Sequence, residues 1–282
     1  MLVVCPTPIG NLEDATPRQI EALSGADVIV CEDTRRTGKL LKLLGIERKE
    51  GQPRLERYDE HTAVEKVGGL ADSVEQGRQV VLVTDAGTPT ISDPGFKLVR
   101  ECRRRGLEVV ALPGPVAAVV ALSASGLATD RFFFEGFLPT KSAKRIERLE
   151  QLAELGVTVL LYASPHRVLD VLEEMQQVLG EDRQVCLGRE LTKMHEEYVT
   201  GPVGQVLAEL ESRDSIYGEI VLCVGPALQP EEGQQQWAEA DRLIRVLADQ
   251  EVSSRTIKEV VDEMCDVPRS AIYGRIEALS NE

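Results

Sequence analysis

The sequence predicts an α/β protein: two α/β domains followed by a small C-terminal helical unit that resembles a helix-turn-helix. Three observations predict it. Short β-branched runs alternate with helical patterns through the first 226 residues. Proline and glycine punctuate the chain at Pro113-Gly114-Pro115 and again at Gly225-Pro226. Beyond that second break the apolar residues recur at helical spacing only.

In order along the chain, Leu2–Cys5, Val28–Cys31, Val80–Thr84 and Glu108–Leu112 read as buried strands. Between them, Pro17–Leu23, Arg35–Leu44, Ala63–Gln76 and Phe96–Arg105 read as helices. Such alternation predicts a parallel sheet, because parallel strands need helical crossovers. This first domain spans 1–113. The second, 114–226, opens on an Ala-rich helix. Its strands are Phe132–Glu135, Val157–Ala163, Val185–Leu187 and Glu219–Val224. Its further helices are Ser142–Leu155, Arg167–Leu179 and Val203–Leu210.

Residues 227–236 are polar and hold Pro230 and Gly233, which predicts a linker. The tail, 237–282, starts with Leu243 and Leu247. Ile257, Val260, Val261 and Met264 follow at i, i+3, i+4 and i+7, with Ser253 or Ser254 as cap. Asp266-Val267-Pro268 breaks and restarts the helix, and Ile272, Ile276 and Leu279 continue it.

The composition is that of a globular domain pair, with 43% hydrophobic and 28% charged residues in 282. Acidic residues outnumber basic ones 47 to 32, a net charge of −15. That excludes gripping nucleic acid by overall charge and leaves only a local basic face. Aromatics at 4% argue against single-strand binding built on stacking platforms. No apolar run is long enough for a membrane span, and Met1–Pro6 lacks the charged start of a signal peptide. The six cysteines are scattered without a C-x-x-C, so neither structural zinc nor a disulfide framework is expected. A reducing cytoplasm fits.

There is no G-x-G-x-x-G and no P-loop, and Gly38-Lys39 is followed by leucine. The three histidines, His61, His166 and His195, have no ligand spacing, so no metal site is expected. Three loops remain, each after a predicted strand, where ligands of parallel sheets bind. Pro6–Asn11 is stiffened by two prolines and lets backbone approach closely at Gly10; a rigid turn explains it equally well. Asp85–Gly95 packs two aspartates, three hydroxyls and two glycines into one long loop, which favours function over capping. Asp85 at a strand end can accept hydrogen bonds from a ribose or an amino group. Leu112–Ala118 ends a strand and opens a helix of small residues. It serves as a hinge, a ligand-binding turn, or both.

These loops stand in order with Cys31-Glu32-Asp33-Thr34-Arg35, Ser123–Leu127, Gly136-Phe137-Leu138-Pro139, Ser164-Pro165-His166-Arg167, Arg189–Lys193 and Gly218-Glu219. The ordered set resembles the tetrapyrrole methylase-like (class III) methyltransferases, in the branch that acts on ribosomal RNA. The resemblance covers nearly the whole chain. It implies S-adenosylmethionine as cofactor without a metal, held in a cleft between the two α/β domains. It also implies 2′-O-ribose methylation of a decoding-centre cytidine of 16S rRNA within the 30S subunit, by a homodimer. By motif, the cofactor contacts carry over to Pro8, Gly10, Asp85, Gly87, Thr88, Ile91, Ser92, Pro113 and Ala117, with Tyr162 and Gly218 completing the adenosine pocket. The sequence departs from the family pattern at Val116, at Ala163 and over Asp59–Ala63.

A ribose hydroxyl is a very weak acid, so a base or a cation near it would assist transfer. Glu32, Arg35, Glu190 and Lys193 are the candidates. Glu32 and Arg35 follow a strand of the first domain, and Glu190 and Lys193 follow one of the second. Lys193 with a lowered pKa, or Glu190, would take the proton, and Arg35 would hold a phosphate. A structural Arg–Glu network is the plainer account of such charges. For RNA, Arg36 and Lys39 share one helix, and Lys141, Lys144 and Arg145 follow Gly136-Phe137-Leu138-Pro139. A solvated face is the alternative for each.

Two other functions stay open on sequence: C-methylation of a tetrapyrrole or other small molecule, and a metabolite-sensing helix-turn-helix regulator. The acidic tail disfavours the regulator and DNA binding.

Overall fold

The structure is a computed structural model, which describes residues 1–48, 51–59, 62–227, 232–250 and 252–280. The chain divides into two compact units, Met1–Pro226 and Ala227–Glu282.

The first sheet consists of β1 (Leu2–Val4), β2 (Val28–Cys31), β3 (Arg54–Arg57), β4 (Val80–Leu82) and β5 (Val109–Ala111), in the order β3-β2-β4-β1-β5. Every pairing is parallel, with Val3 opposite both Val81 and Val110. The period of two along each strand feeds two cores. Leu2, Val4, Val28, Val30, Val80 and Leu82 pack against α3 (Ala63–Glu75) and α4 (Phe96–Arg104). Val3, Cys5, Ile29, Cys31 and Val81 face Leu23 of α1 (Pro17–Ser24) and Leu41 of α2 (Thr34–Leu43). Burial on both faces is what a parallel sheet requires, and it explains the continuous apolar runs. Thr16 and Gln19 form a capping box before α1, with Pro17 at its first position. Asp33 caps α2.

The strand β3 has no counterpart in the sequence reading. Arg-Leu-Glu-Arg shows no apolar run, because it is an edge strand whose order comes from pairing with β2.

The second sheet joins β6 (Phe132–Phe137), β7 (Thr158–Ala163), β8 (Gln184–Arg189), β9 (Glu197–Pro202) and β10 (Ile220–Val224), in the order β6-β7-β10-β8-β9. Only β6 and β7 run parallel; the other three pairings are antiparallel. The edge strand β9 also escaped the pattern, ending as it does in Thr-Gly-Pro. The Ala-rich helix α5 (Ala117–Ser125) covers one face, where Ala118 and Ala121 let it approach Leu160, Cys186, Val221 and Cys223. The other face packs on α6 (Ser142–Ala153), α7 (Val168–Leu179) and α8 (Val203–Glu211).

The C-terminal unit holds α9 (Glu232–Asp249), α10 (Ser254–Met264) and α11 (Ile272–Ser280) around Ala240, Ile244, Ile257, Val261, Ile272 and Ile276. Ser253 caps α10 through the amide of Thr256. The stretch 227–236 read as linker needs correcting, since α9 starts at Glu232. Ala240 and Ile244 anchor this helix in the core of the C-terminal unit. Residues 228–231 of that stretch, and His61, lie outside the described residues. No helix among the described residues is long and apolar enough to cross a membrane.

Candidate functional site

The carboxyl ends of β1, β2 and β4 open onto one cleft, bounded opposite by the end of β7 and the start of β10. It encloses ≈ 410 Å³. Three loops of the first sheet are tied together around it. The amides of Thr7 and Gly87 each donate to the other's carbonyl, at 2.9 and 3.0 Å. Thr7 Oγ1 donates to the carbonyl of Thr84, and Thr88 Oγ1 to that of Pro115. The Asp85–Gly95 loop is conformationally costly. Thr90 and Ser92 take φ of 77° and 62°, values that side-chain-bearing residues avoid.

Acidic groups converge on this floor. Asp85 Oδ2 pairs with Arg36 at 3.0 Å, while Asp85 Oδ1 is buried with no hydrogen-bond partner. An orphaned acceptor at a cleft wall fits a ligand that brings donors, such as a ribose diol or an amino group. Glu32 accepts a hydrogen bond from Thr84 Oγ1. Burial, then the charge of Glu32, raises the Asp93 carboxyl to about 6, against an opposing hydrogen bond from Thr84. Burial likewise raises Asp85, with Arg36 working against it. Among the described residues, no group of three or more His, Cys, Asp or Glu is arranged to hold a metal ion.

The opposite wall is apolar and aromatic. Tyr162 on β7 meets Phe134 edge-on at 5.2 Å and Phe137 at 5.5 Å. Gly218 has φ of 94°, and a Cβ there would stand 2.5 Å from Glu190 Cγ.

Of the sequence-predicted cofactor residues, Asp85, Gly87, Thr88, Ile91, Ser92, Ala117, Tyr162 and Gly218 line the cleft. Pro8, Gly10 and Pro113 are not among the residues lining it. A Cβ on Gly10 would fall 2.5 Å from Lys193 Cγ and 3.0 Å from the carbonyl of Leu191, so this glycine serves contact between the two domains. The neighbouring amide of Asn11 donates to Thr192 Oγ1 at 3.0 Å. Pro113 is exposed and accepts from Gln19 Nε2.

The catalytic candidates separate as well. Glu32 lines the cleft, whereas Arg35 is turned to solvent and bound to Asp33 at 2.8 Å. Arg36, expected to face RNA, is the arginine that reaches the cleft. Glu190 and Lys193 sit behind Gly218-Glu219 as a charge lattice. Lys193 Nζ contacts Glu190 at 2.7 Å and Glu219 at 3.1 Å. Burial disfavours the Lys193 ammonium, but the two carboxylates outweigh it and hold the lysine above its ordinary range. The bond to Lys193 lowers Glu190. Both groups are thus held charged, contrary to the expected lowered lysine.

Among the RNA-facing candidates, Lys39, Lys141 and Lys144 are exposed. Arg145 is not. It lies 4% exposed and clamped on Glu174, with Ser142 on the same carboxylate. It stands four and seven residues before Leu149 and Leu152, on the buried stripe of α6. Asp93, Thr84 and Phe137 were missed as site residues. Asp93 lies inside the loop that the sequence favours for function, where Asp85 alone of the two aspartates is given a contact.

A sequence model of the family described as tetrapyrrole (corrin/porphyrin) methylases matches residues 1–207. A Haemophilus influenzae protein named ribosomal RNA small subunit methyltransferase I is 42% identical over 97% of this chain and 95% of its own length. One of the same name from Escherichia coli O157:H7 is 43% identical over 96% and 93%. In solved structures the fold recurs in the methyltransferase CobJ, with TM-score 0.60 and 20% identity over 82% of this chain and 96% of that one. It recurs also in a Thermus thermophilus uroporphyrin-III C-methyltransferase complexed with S-adenosylhomocysteine, with TM-score 0.55 and 16% identity over 80% and 98%.

Proposed function

The chain belongs to the tetrapyrrole methylase family, and from that premise we propose that it transfers a methyl group from S-adenosylmethionine to the ribose 2′-oxygen of a decoding-centre cytidine in 16S rRNA. The observation that carries the cofactor part is the cleft itself, where the strained Asp85–Gly95 loop presents an unpartnered Asp85 oxygen to an incoming donor. Relatives at 42–43% identity over nearly the whole chain, named for ribosomal RNA, carry the acceptor part.

The cofactor supplies an activated methyl on a sulfonium, so the protein's task is mainly positioning. Asp85 would accept from the ribose or amino donors, and the turn at Gly87 lets the chain pass close to the ligand. The Tyr162 wall supplies the apolar contact for the adenine. Glu32 and Asp93 add negative charge that favours a cationic cofactor over its neutral thioether product. Lys39, Lys141 and Lys144 would meet the phosphates. The assembly we propose is a cytoplasmic homodimer acting on the 30S subunit.

The test is methyl transfer from radiolabelled S-adenosylmethionine to unmethylated 30S subunits, naked 16S rRNA and a tetrapyrrole precursor in parallel. Label on a cytidine ribose in the 30S sample supports the reading. Label confined to the tetrapyrrole overturns the acceptor and leaves the cofactor.

A further inference from the structure

The strand β6 carries a bulge between Phe134 and Gly136, where its register against β7 slips by one residue. In a regular strand, residues 134 and 137 would point to opposite faces. The bulge, with Gly136 at φ 75°, turns both rings to Tyr162. Phe134 is used for packing. Phe137 remains 59% exposed on the cleft wall. Two other exposed phenylalanines have a cation over the ring, Phe96 under Arg100 and Phe133 under Arg148. Among the described residues no such partner covers Phe137.

Phe137, Tyr162 and Ser164 also border a small side cavity of ≈ 20 Å³, room for about one water, that adjoins the cleft. Two arginines line it. The charge of Arg145 is neutralised by Glu174. Arg167, half-buried, makes no ion pair or side-chain hydrogen bond among the described residues. A partly desolvated guanidinium without a carboxylate is poised for an anion from outside the chain. The segment after Phe137 runs directly to exposed Lys141 and Lys144.

We propose that Phe137 and Arg167 form an acceptor subsite for one unstacked RNA nucleotide, its base lying on the Phe137 ring and an adjoining phosphate held by Arg167. This rests on the reading of the acceptor as RNA and specifies it further: the nucleotide is taken out of its stack and read single-stranded. The low aromatic content excludes a row of stacking platforms but not a single ring raised by a bulge.

The test uses the full chain saturated with S-adenosylhomocysteine and a fluorescein-labelled, cytidine-rich single-stranded oligoribonucleotide, with binding followed by anisotropy over a range of salt. Phe137→Ala is expected to weaken binding by about 5- to 100-fold, the worth of one stacked base. Phe137→Tyr should restore it. Arg167→Ala should lower the slope of log K against log salt by about 0.7, one phosphate contact on a single strand, and Arg167→Lys should keep the slope. Far-UV circular dichroism and Tm, measured without ligand, should stay close to wild type in all four, showing an intact fold. Wild-type binding by both alanine variants, or no oligonucleotide binding by the wild type, overturns the subsite.

Methyl transfer to 30S subunits by the wild type separates the two readings. Transfer with unaffected variant binding removes only the subsite. Binding that depends on Phe137 and Arg167, with no transfer to any RNA, removes only the proposed reaction.

Discussion

Arg36 and Asp85 meet at 3.0 Å at the cleft, and the pairing uses only one carboxylate oxygen, leaving Asp85 Oδ1 buried and unbonded. Arg36 holds the carboxylate in place, while its free lone pairs await a ligand. Replacing Asp85 with Asn keeps the shape and removes a charge-assisted bond of about 1.5–3 kcal/mol. S-Adenosylhomocysteine affinity should fall roughly 10- to 100-fold by calorimetry, with little change in Tm. Unchanged affinity would show that the cofactor does not reach this oxygen.

Asp93 sits where protonation stabilises the fold. Its carboxyl is raised to about 6, so the folded protein binds a proton that the unfolded chain has released. Stability from this group is therefore complete below about pH 4 and is lost as pH rises through about 6. Asp93→Asn should accordingly raise Tm at pH 7.5, by an amount corresponding to roughly 1–2 kcal/mol. The gain should vanish near pH 4.5. Thermal melts of both proteins across that interval check the sign; a Tm difference independent of pH would contradict it.

The buried Arg145–Glu174 pair should behave oppositely to its exposed neighbours. Arg145→Ala strands a carboxylate in the core and should cost about 3–5 kcal/mol in urea unfolding. Lys141→Ala with Lys144→Ala should leave stability within about 0.5 kcal/mol while flattening the salt dependence of RNA binding. Equal effects from both changes would mean that Arg145 faces the solvent.

Gly218 has a conformational and a steric reason to be glycine. Its φ of 94° disfavours any side chain, and a Cβ would press on Glu190, which anchors the Lys193 lattice. Gly218→Ala should lower stability by about 1–3 kcal/mol and weaken S-adenosylhomocysteine binding along with it. A variant with wild-type Tm and affinity would show that the loop has room to relax.

The sequence alone determined which faces of the chain are buried. Runs such as Val28–Cys31 and Val80–Leu82 and the 3.6-residue stripe at Ile257 and Val261 carry their burial in local order, as does the Asp85–Gly95 loop with its hydroxyls and glycines. The edge strands β3 and β9 did not show, because half of each strand's partners are solvent and their order comes from a neighbour distant in sequence. The same limit governs the charges. Arg35 and Arg36, adjacent on one helix, are about 100° apart around its axis, and only the packed structure decided that Arg36 reaches Asp85 while Arg35 turns back to Asp33. Lys141 and Arg145 stand four residues apart, yet Lys141 precedes α6 and is exposed while Arg145 lies on its buried stripe, where Glu174 on α7 neutralises it. Residue types and spacing specify what a side chain is able to do. Which partner it meets depends on contacts between segments far apart in sequence, and only the tertiary structure supplies those.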